Sequence, residues 1–552
     1  IQVNVQDFKV FIIDFFSFSK VINGHHYWLR NKVFVKLTDL NKYNQYEQGM
    51  LTYYSAISSV YEGFNEYSIT FSNEKQMMQF ANVLKDSLWV EYSTPDLYCE
   101  IANDSYTPKD PMVWLYAGLN NYPKSTINIS KTWDFFDKTM SQIGSNSINV
   151  AVLDHGIDDH IDFFTTNGIS KISNSWSPIG DNSGRNNDNK SHGQKCASVI
   201  ISTHNSIGTA GIAPDCRVSA IRITNKQGHF CSNSSIRKAI RYSWQNCNAV
   251  VLSNSWSFKD NLNHPLVTSV INEALSNGRN GKGCVIVFSA GNEDCNHVNY
   301  PSSLDGVISV GAITNNLIRV SNSFWGSNYG SELNIVTFGE YIPVASLNNG
   351  YSYFDGTSSA CPPISGVAAL MLSANSNLTA TQVKTIIEQT AQKISTNTYT
   401  YTNNPSAHPN GLWNNEVGYG LIDAHAAVMT AYFYNYLIDG TYALSPCSEY
   451  TYSLSDTTIP NGTSLSWTVS DNLEIVSGQG TASIVVRPIG NGIGWMKANF
   501  THEGYTVTKE TGVSVTSGFT SYYNNYTAST STTILSNSVI ASTFTVASGN
   551  TV

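Results

Sequence analysis

Five short runs, residues 148–153, 217–221, 249–252, 284–288 and 307–310, are apolar almost throughout instead of alternating apolar with polar. A strand of that kind is buried on both faces, which requires a parallel sheet covered by helices on either side. The stretches between them fit: residues 234–244 and 266–276 carry apolar positions at helical spacing. Strand, turn and helix thus recur over about residues 110–430, and the fold class expected there is α/β.

The flanks read differently. Residues 33–37, 67–71 and 88–92 look like strands, and residues 74–88 place Met77, Met78, Phe80, Ala81 and Leu84 on one helical face. A small α+β domain over 27–104 is expected, loosening over 93–107, with 1–26 as an N-terminal remnant. The α/β domain is assigned to 105–432. From 436 to 516 helical patterns vanish, and strand-like runs (464–469, 482–486, 495–500, 505–509) recur between Gly and Asn turns. A β-sandwich of Ig-like size is expected there. The Ser/Thr/Asn-rich residues 517–552 read as a linker or the start of another β module. A chain of 552 residues is longer than one core usually organises.

Charge narrows the partners. The net charge is −9 with no run of Lys or Arg, so no phosphate-binding footprint exists and nucleic acid is not an expected partner. The apolar stretch 8–16 near the start is interrupted by Lys9 and Asp14 and is too short for a transmembrane segment. Only 13% of residues are charged, a balance that suits a secreted or cell-surface protein. Because the sequence starts at Ile1 instead of Met, the natural N-terminus is expected upstream. No pair among the nine cysteines has zinc spacing; Cys196, Cys284 and Cys361 lie in small-apolar runs and read as buried thiols.

Four clusters carry chemistry. In Val152-Leu153-Asp154-His155-Gly156 an apolar strand ends in a carboxylate, where α/β sheets place their sites. Alone, that Asp is equally a turn opener. In Ser191-His192-Gly193-Gln194-Lys195-Cys196-Ala197 a histidine enters a helix of small residues. A lone His-Gly pair usually means nothing. Phe288-Ser289-Ala290-Gly291-Asn292-Glu293 ends a strand on an amide able to donate to an oxyanion. In Gly356-Thr357-Ser358-Ser359-Ala360-Cys361-Pro362 a serine stands at the first turn of a long apolar helix, whose dipole favours a developing anion. A plain helix cap is the competing reading of that serine.

The order Asp154, His192, Asn292, Ser358, each in its local motif, resembles the subtilase family over about residues 110–430. The resemblance implies a serine endopeptidase with Ser358 as nucleophile, His192 as general base and then acid, Asp154 orienting the imidazole, and Asn292 completing the oxyanion hole. No Gly-x-Ser-x-Gly elbow exists, which sets aside the α/β-hydrolases. A sedolisin-like acid peptidase would need Glu in place of His192. Ser191 and Gln194 depart from the family's usual residues beside the histidine. The rival from another class is a catalytically silent adhesion or scaffold protein built on the same fold.

The resemblance extends to the substrate side. Ser255, Trp256 and Ser257 follow a strand like the one that pairs with an extended polypeptide substrate, which implies broad backbone-directed action. Trp256 and Ser257 stand where Leu and Gly are usual. Ala290, Gly291, Glu293 and Asn299 would line the primary specificity pocket; Asn299 makes it smaller and more polar, with Glu293 near the rim. No cofactor is required for the chemistry. The loop 204–214 looks like a structural calcium loop, with Asp162, Thr203, Asn205, Ile207 and Thr209 as ligands through side-chain and backbone oxygens. The N-terminal domain sits where the family carries an inhibitory propeptide. The sandwich resembles PKD- or Ig-like modules, a spacer by default or a contact to polysaccharide or the cell surface.

Overall fold

The computed structural model describes residues 106–113, 126–180, 182–258, 262–446 and 448–516 in full; outside them it describes only strand backbones and their pairing. The chain divides into two compact units, Ile1–Ser105 and Tyr106–Val552.

In the first unit Ser19–Ile22, His25–Leu37, Glu66–Phe71, Tyr54–Tyr61 and Val90–Cys99 form a five-stranded antiparallel sheet around the long His25–Leu37 strand. The expected strands at 33–37 and 67–71 lie within it. The last strand, Val90–Cys99, runs well into the stretch expected to be loose. Ladder pairing to His25–Leu37 supplies backbone partners that local composition does not reveal. The helix expected over 74–88 lies outside the described residues.

In the second unit seven strands form one parallel sheet: β1 (Asn149–Asp154), β2 (Ile172–Trp176), β3 (Arg217–Arg222), β4 (Val251–Asn254), β5 (Val285–Ser289), β6 (Ile308–Ile313) and β7 (Ile335–Phe338). Their order across the sheet is β7-β6-β5-β4-β1-β3-β2, and every pairing is parallel. The order reverses around β1, so the carboxyl ends of β1, β4 and β5 open on the crevice where such sheets hold their ligands. The helices are α1 (Ile129–Met140), α2 (His192–Ile201), α3 (Asn233–Gln245), α4 (Pro265–Gly281), α5 (Thr357–Ala374), α6 (Ala380–Gln389) and α7 (Ala424–Tyr432). Helix α4 leaves helical geometry at Gly278–Asn280, just past the end read from its sequence pattern.

Helix α5 is buried along nearly its whole length, which explains why it is apolar all round with no polar face. Close approach fixes α2 over β1: a Cβ on Gly193 would lie 2.5 Å from the Gly156 carbonyl oxygen. A hairpin of β8 (Ile342–Ala345) and β9 (Tyr351–Phe354) leads into α5.

Beyond α7 two four-stranded sheets form the sandwich. One orders Ile438–Asp439, Tyr450–Leu454, Ser483–Pro488 and Leu473–Ser477; the other orders Ala443–Leu444, Tyr505–Val515, Gly492–His502 and Ser464–Val469. Along Gly492–His502 burial alternates residue by residue, the pattern of a strand with one face on a core. The sandwich docks on α1 and α7: Phe433 stacks on Phe500 with centroids 4.1 Å apart, and His425 faces His502 at 5.1 Å. In the tail, Thr520–Tyr522 pairs with Ser538–Ile540 and Thr527–Ala528 with Thr545–Val546.

Candidate active site

Asp154 is the last residue of β1, and its side chain is 3% exposed. Its oxygens lie 2.8 and 2.9 Å from Nδ1 of His192, the first residue of α2. The backbone N–H of His155 donates to the same carboxylate at 2.7 Å. Burial alone would raise the Asp154 pKa; the attraction of His192 and the hydrogen bonds to it win, and it lies below its ordinary value. His192 is the mirror case: burial pushes it down, but the charge and hydrogen bond of Asp154 leave it raised. The Asp therefore holds Nδ1–H, which leaves Nε2 to exchange a proton with a reacting group.

Ser358 lies in the first turn of α5, after Gly356 at φ 107°, a conformation that favours glycine. Its hydroxyl donates to the Ser255 carbonyl at 3.3 Å, and the Ser255 hydroxyl donates back to the Ser358 carbonyl at 2.9 Å. The buried Cys196 thiol measures how closely the three groups converge. Its sulfur is 3.7 Å from Asp154 Oδ2, 4.0 Å from His192 Nδ1 and 4.0 Å from the Ser358 carbonyl. Asn292 is exposed, and its side-chain oxygen accepts from the Thr357 N–H at 2.8 Å and the Thr357 hydroxyl at 2.9 Å. With the oxygen so held, the amide N–H end is the one presented to a ligand. First-turn amides lack partners within their helix, so the Ser358 N–H is a second donor.

Ser255, Trp256 and Ser257 follow β4 directly. Trp256 is buried against Phe230, Phe258 and Phe288, with centroids 6.0, 5.8 and 5.1 Å away. Ala290 and Gly291 continue β5, and Asn299 lies against them, its N–H donating to the Ala290 carbonyl at 2.9 Å. A Cβ on Gly291, at φ 113°, would stand 2.5 Å from the Asn299 amide nitrogen. Glu293 is exposed, with one carboxylate oxygen turned toward the protein. One of its oxygens accepts from the Asn292 N–H at 2.9 Å, the Asn299 amide at 2.9 Å and the Asn328 amide at 2.8 Å. The Asn299 amide also donates to the Ser257 hydroxyl at 3.2 Å. Asn328 was invisible to motif reading because no local pattern marks it.

The calcium-like loop folds around two carboxylates. Asp162 accepts from the Thr209 N–H at 3.2 Å and the Asn205 amide at 3.3 Å, while its own carbonyl accepts from the Thr203 N–H at 2.8 Å. The Ile207 N–H donates to the Asn205 side-chain oxygen at 2.9 Å. Asp110, not singled out from the sequence, accepts from the Asn205 N–H at 3.0 Å; its other oxygen is buried without a partner. Burial chiefly pushes Asp162 up to about 7 and Asp110 up to about 6. Among the described residues, neither forms an ion pair with a Lys or Arg. Two buried carboxylates, one with an orphaned oxygen, beside an Asn and backbone carbonyls make a hard oxygen set of the kind a calcium ion takes.

Among the described residues the cysteines 196, 216, 231, 247, 284, 295 and 361 are free thiols. No described helix is long and apolar enough to cross a membrane.

A parallel sheet whose switch-point strand ends in Asp154, bonded to a histidine opening α2, with the serine of the first turn of α5 meeting the same buried thiol through its carbonyl, defines a serine protease of the subtilisin type. Sequence comparison agrees: the model of the subtilase family matches residues 145–420, half of the chain, and that of a PKD-like domain matches residues 436–494. The chain belongs to the subtilase family. Its relatives include a thermostable alkaline protease from Halalkalibacterium halodurans, 33% identical over 49% of this chain and 67% of that protein. A thermophilic serine proteinase from Bacillus sp. strain AK1 is 32% identical over 57% and 71%. Subtilisin E from Bacillus subtilis strain 168 is 30% identical over 49% and 65%.

Proposed function

We propose that the chain is a secreted serine endopeptidase that cleaves extended polypeptides through an acyl-enzyme. The observation that carries this is the Asp154–His192 pair converging with Ser358 on one thiol, beside an amide whose oxygen is already occupied. Ser358 Oγ attacks the scissile carbonyl carbon while His192 Nε2 takes the hydroxyl proton. The oxyanion that forms is held by the Asn292 amide and the Ser358 N–H. When the C–N bond breaks, His192 returns that proton to the leaving amine. A water then repeats the cycle on the ester, releasing the acid and restoring Ser358. Asp154 holds the imidazole tautomer throughout. Covalent labelling by a fluorophosphonate, lost in Ser358→Ala, tests this; processed wild-type protein that takes no label would leave the scaffold reading.

Glu293, exposed beside Asn299 and Asn328 and bonded to both their amides, supports a polar or basic preference at the scissile residue. A peptide-library profile dominated there by Phe and Tyr would sink it. Asp162, Asn205 and the carbonyls of Thr203, Ile207 and Thr209, joined by Asp110, would hold a structural calcium. The ion would neutralise the two carboxylates and takes no part in the peptide chemistry. The N-terminal domain would act as a propeptide removed near residues 95–107, which N-terminal sequencing of active enzyme decides. The PKD-like sandwich is proposed as a spacer, or as a contact to polysaccharide or the cell surface.

A further inference from the structure

Beside the Asp154–His192 pair stands a second histidine–carboxylate pair to which the mechanism assigns no part. His155 Nδ1 lies 2.6 Å from Asp188 Oδ2, and the two side chains are 12% and 0% exposed. Asp188 is itself tied down: it accepts from the Lys190 N–H at 3.0 Å, the Thr224 hydroxyl at 3.3 Å and the Asn186 amide at 3.4 Å. The loop that carries it is clamped across the end of β1. The Ile157 N–H donates to the Gly184 carbonyl at 3.0 Å, and the Asn186 N–H to Asp158 Oδ1 at 3.0 Å. A Cβ on Gly156, at φ 101°, would stand 2.7 Å from the Arg185 carbonyl oxygen, so only glycine lets the loop settle this closely.

The consequence falls on the general base. The His155 ring meets the His192 ring edge to face, with centroids 5.9 Å apart, and is backed by Phe230 at 6.0 Å. Phe354 also meets His192, at 5.3 Å and 88°. His192 is 31% exposed, so protein does not enclose it on all sides, and among the described residues these two rings are its aromatic walls. Asp154 fixes Nδ1, but a bond at one ring atom leaves the ring free to tilt about it. The other edge must keep Nε2 aimed first at Ser358 and then at the leaving amine, and small errors in such aim are costly in rate.

We propose that His155, tethered by Asp188, is a positioning residue that confines the His192 ring. The proposal rests on reading His192 as the general base. Processed full-length enzyme and the variants His155→Ala, His155→Phe, Asp188→Asn, the double His155→Ala/Asp188→Asn and His192→Ala are compared. The readouts are the rate of Ser358 phosphonylation by a small fluorophosphonate, which leaves the extended substrate subsites empty, and kcat and KM on a peptide amide. His155→Ala and Asp188→Asn are each expected to lower the phosphonylation rate and kcat about tenfold with KM within about twofold. The double variant is expected to fall no further than His155→Ala, because the two residues act as one unit. His155→Phe, which keeps the wall without the tether and fills the same space, is expected between wild type and His155→Ala. Unchanged phosphonylation in both single variants would overturn the proposal. So would a loss confined to KM, which marks a substrate contact, multiplied losses in the double variant, or His155→Phe no faster than His155→Ala. Retained labelling in His192→Ala would instead overturn the general-base reading itself.

Discussion

At His192 the neighbouring carboxylate is bonded to the ring, with both Asp154 oxygens within 2.9 Å of Nδ1. At the junction between the catalytic domain and the sandwich, two buried histidines face a buried carboxylate without that bond. His502 Nε2 is 3.9 Å from Asp134 Oδ2, whose charge is met by Lys138 at 2.7 Å. His425 Nε2 bonds the His502 carbonyl at 3.1 Å, and its Nδ1 is buried without a partner. The outcomes are opposite. Burial is the largest influence on each histidine; Asp154 overrides it at His192, whose pKa is raised, while at the junction it prevails, pushing His425 down to about 4 and His502 below its ordinary value. A buried carboxylate holds a proton on histidine when it is bonded to the ring, not merely near it while another cation claims it.

The largest effect that this comparison predicts is on rate. Asp154→Asn should lower kcat by about ten-thousandfold, since the amide neither fixes the tautomer nor stabilises the imidazolium. Asp134→Asn should leave kcat within about twofold. In the wild type, kcat/KM should fall as pH drops through the raised His192 value, because the base must be unprotonated. Steady-state kinetics across pH 5 to 9 measures all three, and equal losses in the two Asn variants would break the comparison.

At a third site two buried carboxylates, Asp110 and Asp162, have neither a histidine nor a lysine bonded to them among the described residues. Calcium at about a thousandfold over its Kd should stabilise the enzyme by about 4 kcal/mol. Chelation followed by urea unfolding reads the loss, and Asp110→Asn should sharply reduce the dependence on calcium. A wild-type midpoint that ignores both calcium and chelator would leave the loop without metal.

The junction should fail in acid. His425 is depressed when folded relative to an ordinary unfolded value near 6.5, so the unfolded chain binds the extra proton. Its contribution is intact above pH ~6.5 and is lost as pH falls toward about 4, by about 3 kcal/mol in all. His192 works with the opposite sign: its contribution is present below the unfolded value and lost as pH rises through the raised one. His425→Leu gives up a hydrogen bond, about 1 kcal/mol at pH 7.5. It should nonetheless be the more stable protein at pH 4.5. Urea midpoints at the two pH values test this crossing, and parallel curves would refute it.

What the sequence showed and what it hid follow one physical division. β1, β4 and β5 were legible because strands buried on both faces are apolar in themselves, and Asp154, His192 and Ser358 because each sits in a local motif. β2 was not expected: Ile-Ser-Asn-Ser-Trp is an edge strand only partly buried, with too little apolar content to announce itself. Asp188, Asn328 and Asp110 were missed for another reason. Each acts through a side chain distant in sequence, as Asp110 does 95 residues before Asn205, and such contacts leave no periodic trace. The junction histidines, 77 residues apart, are of that kind. Glu293 was legible as a candidate pocket residue, but its three donors come from Asn292, Asn299 and Asn328 and only the fold assembles them.

The smallest predicted effect separates the bonded site from the unbonded one most cleanly. Lys138 is 32% exposed but Asp134 only 1%, so the pair is half-screened, and Lys138→Gln, whose amide can still donate to the buried carboxylate, should cost about 1 kcal/mol at neutral pH. The same lysine, however, is one of the charges that hold His502 below its ordinary value, while Asp134 pulls the other way. Removing Lys138 leaves Asp134 to His502 alone, so a protonated His502 becomes easier to accommodate at the junction. The variant should therefore start slightly less stable than wild type at pH 7.5 and lose less on acidification, the two urea midpoints drawing together toward pH 4.5. If it loses as much as wild type, the carboxylate is too far from His502 to act on it whatever else surrounds it, and the 3.9 Å separation by itself explains why the junction histidines stay neutral.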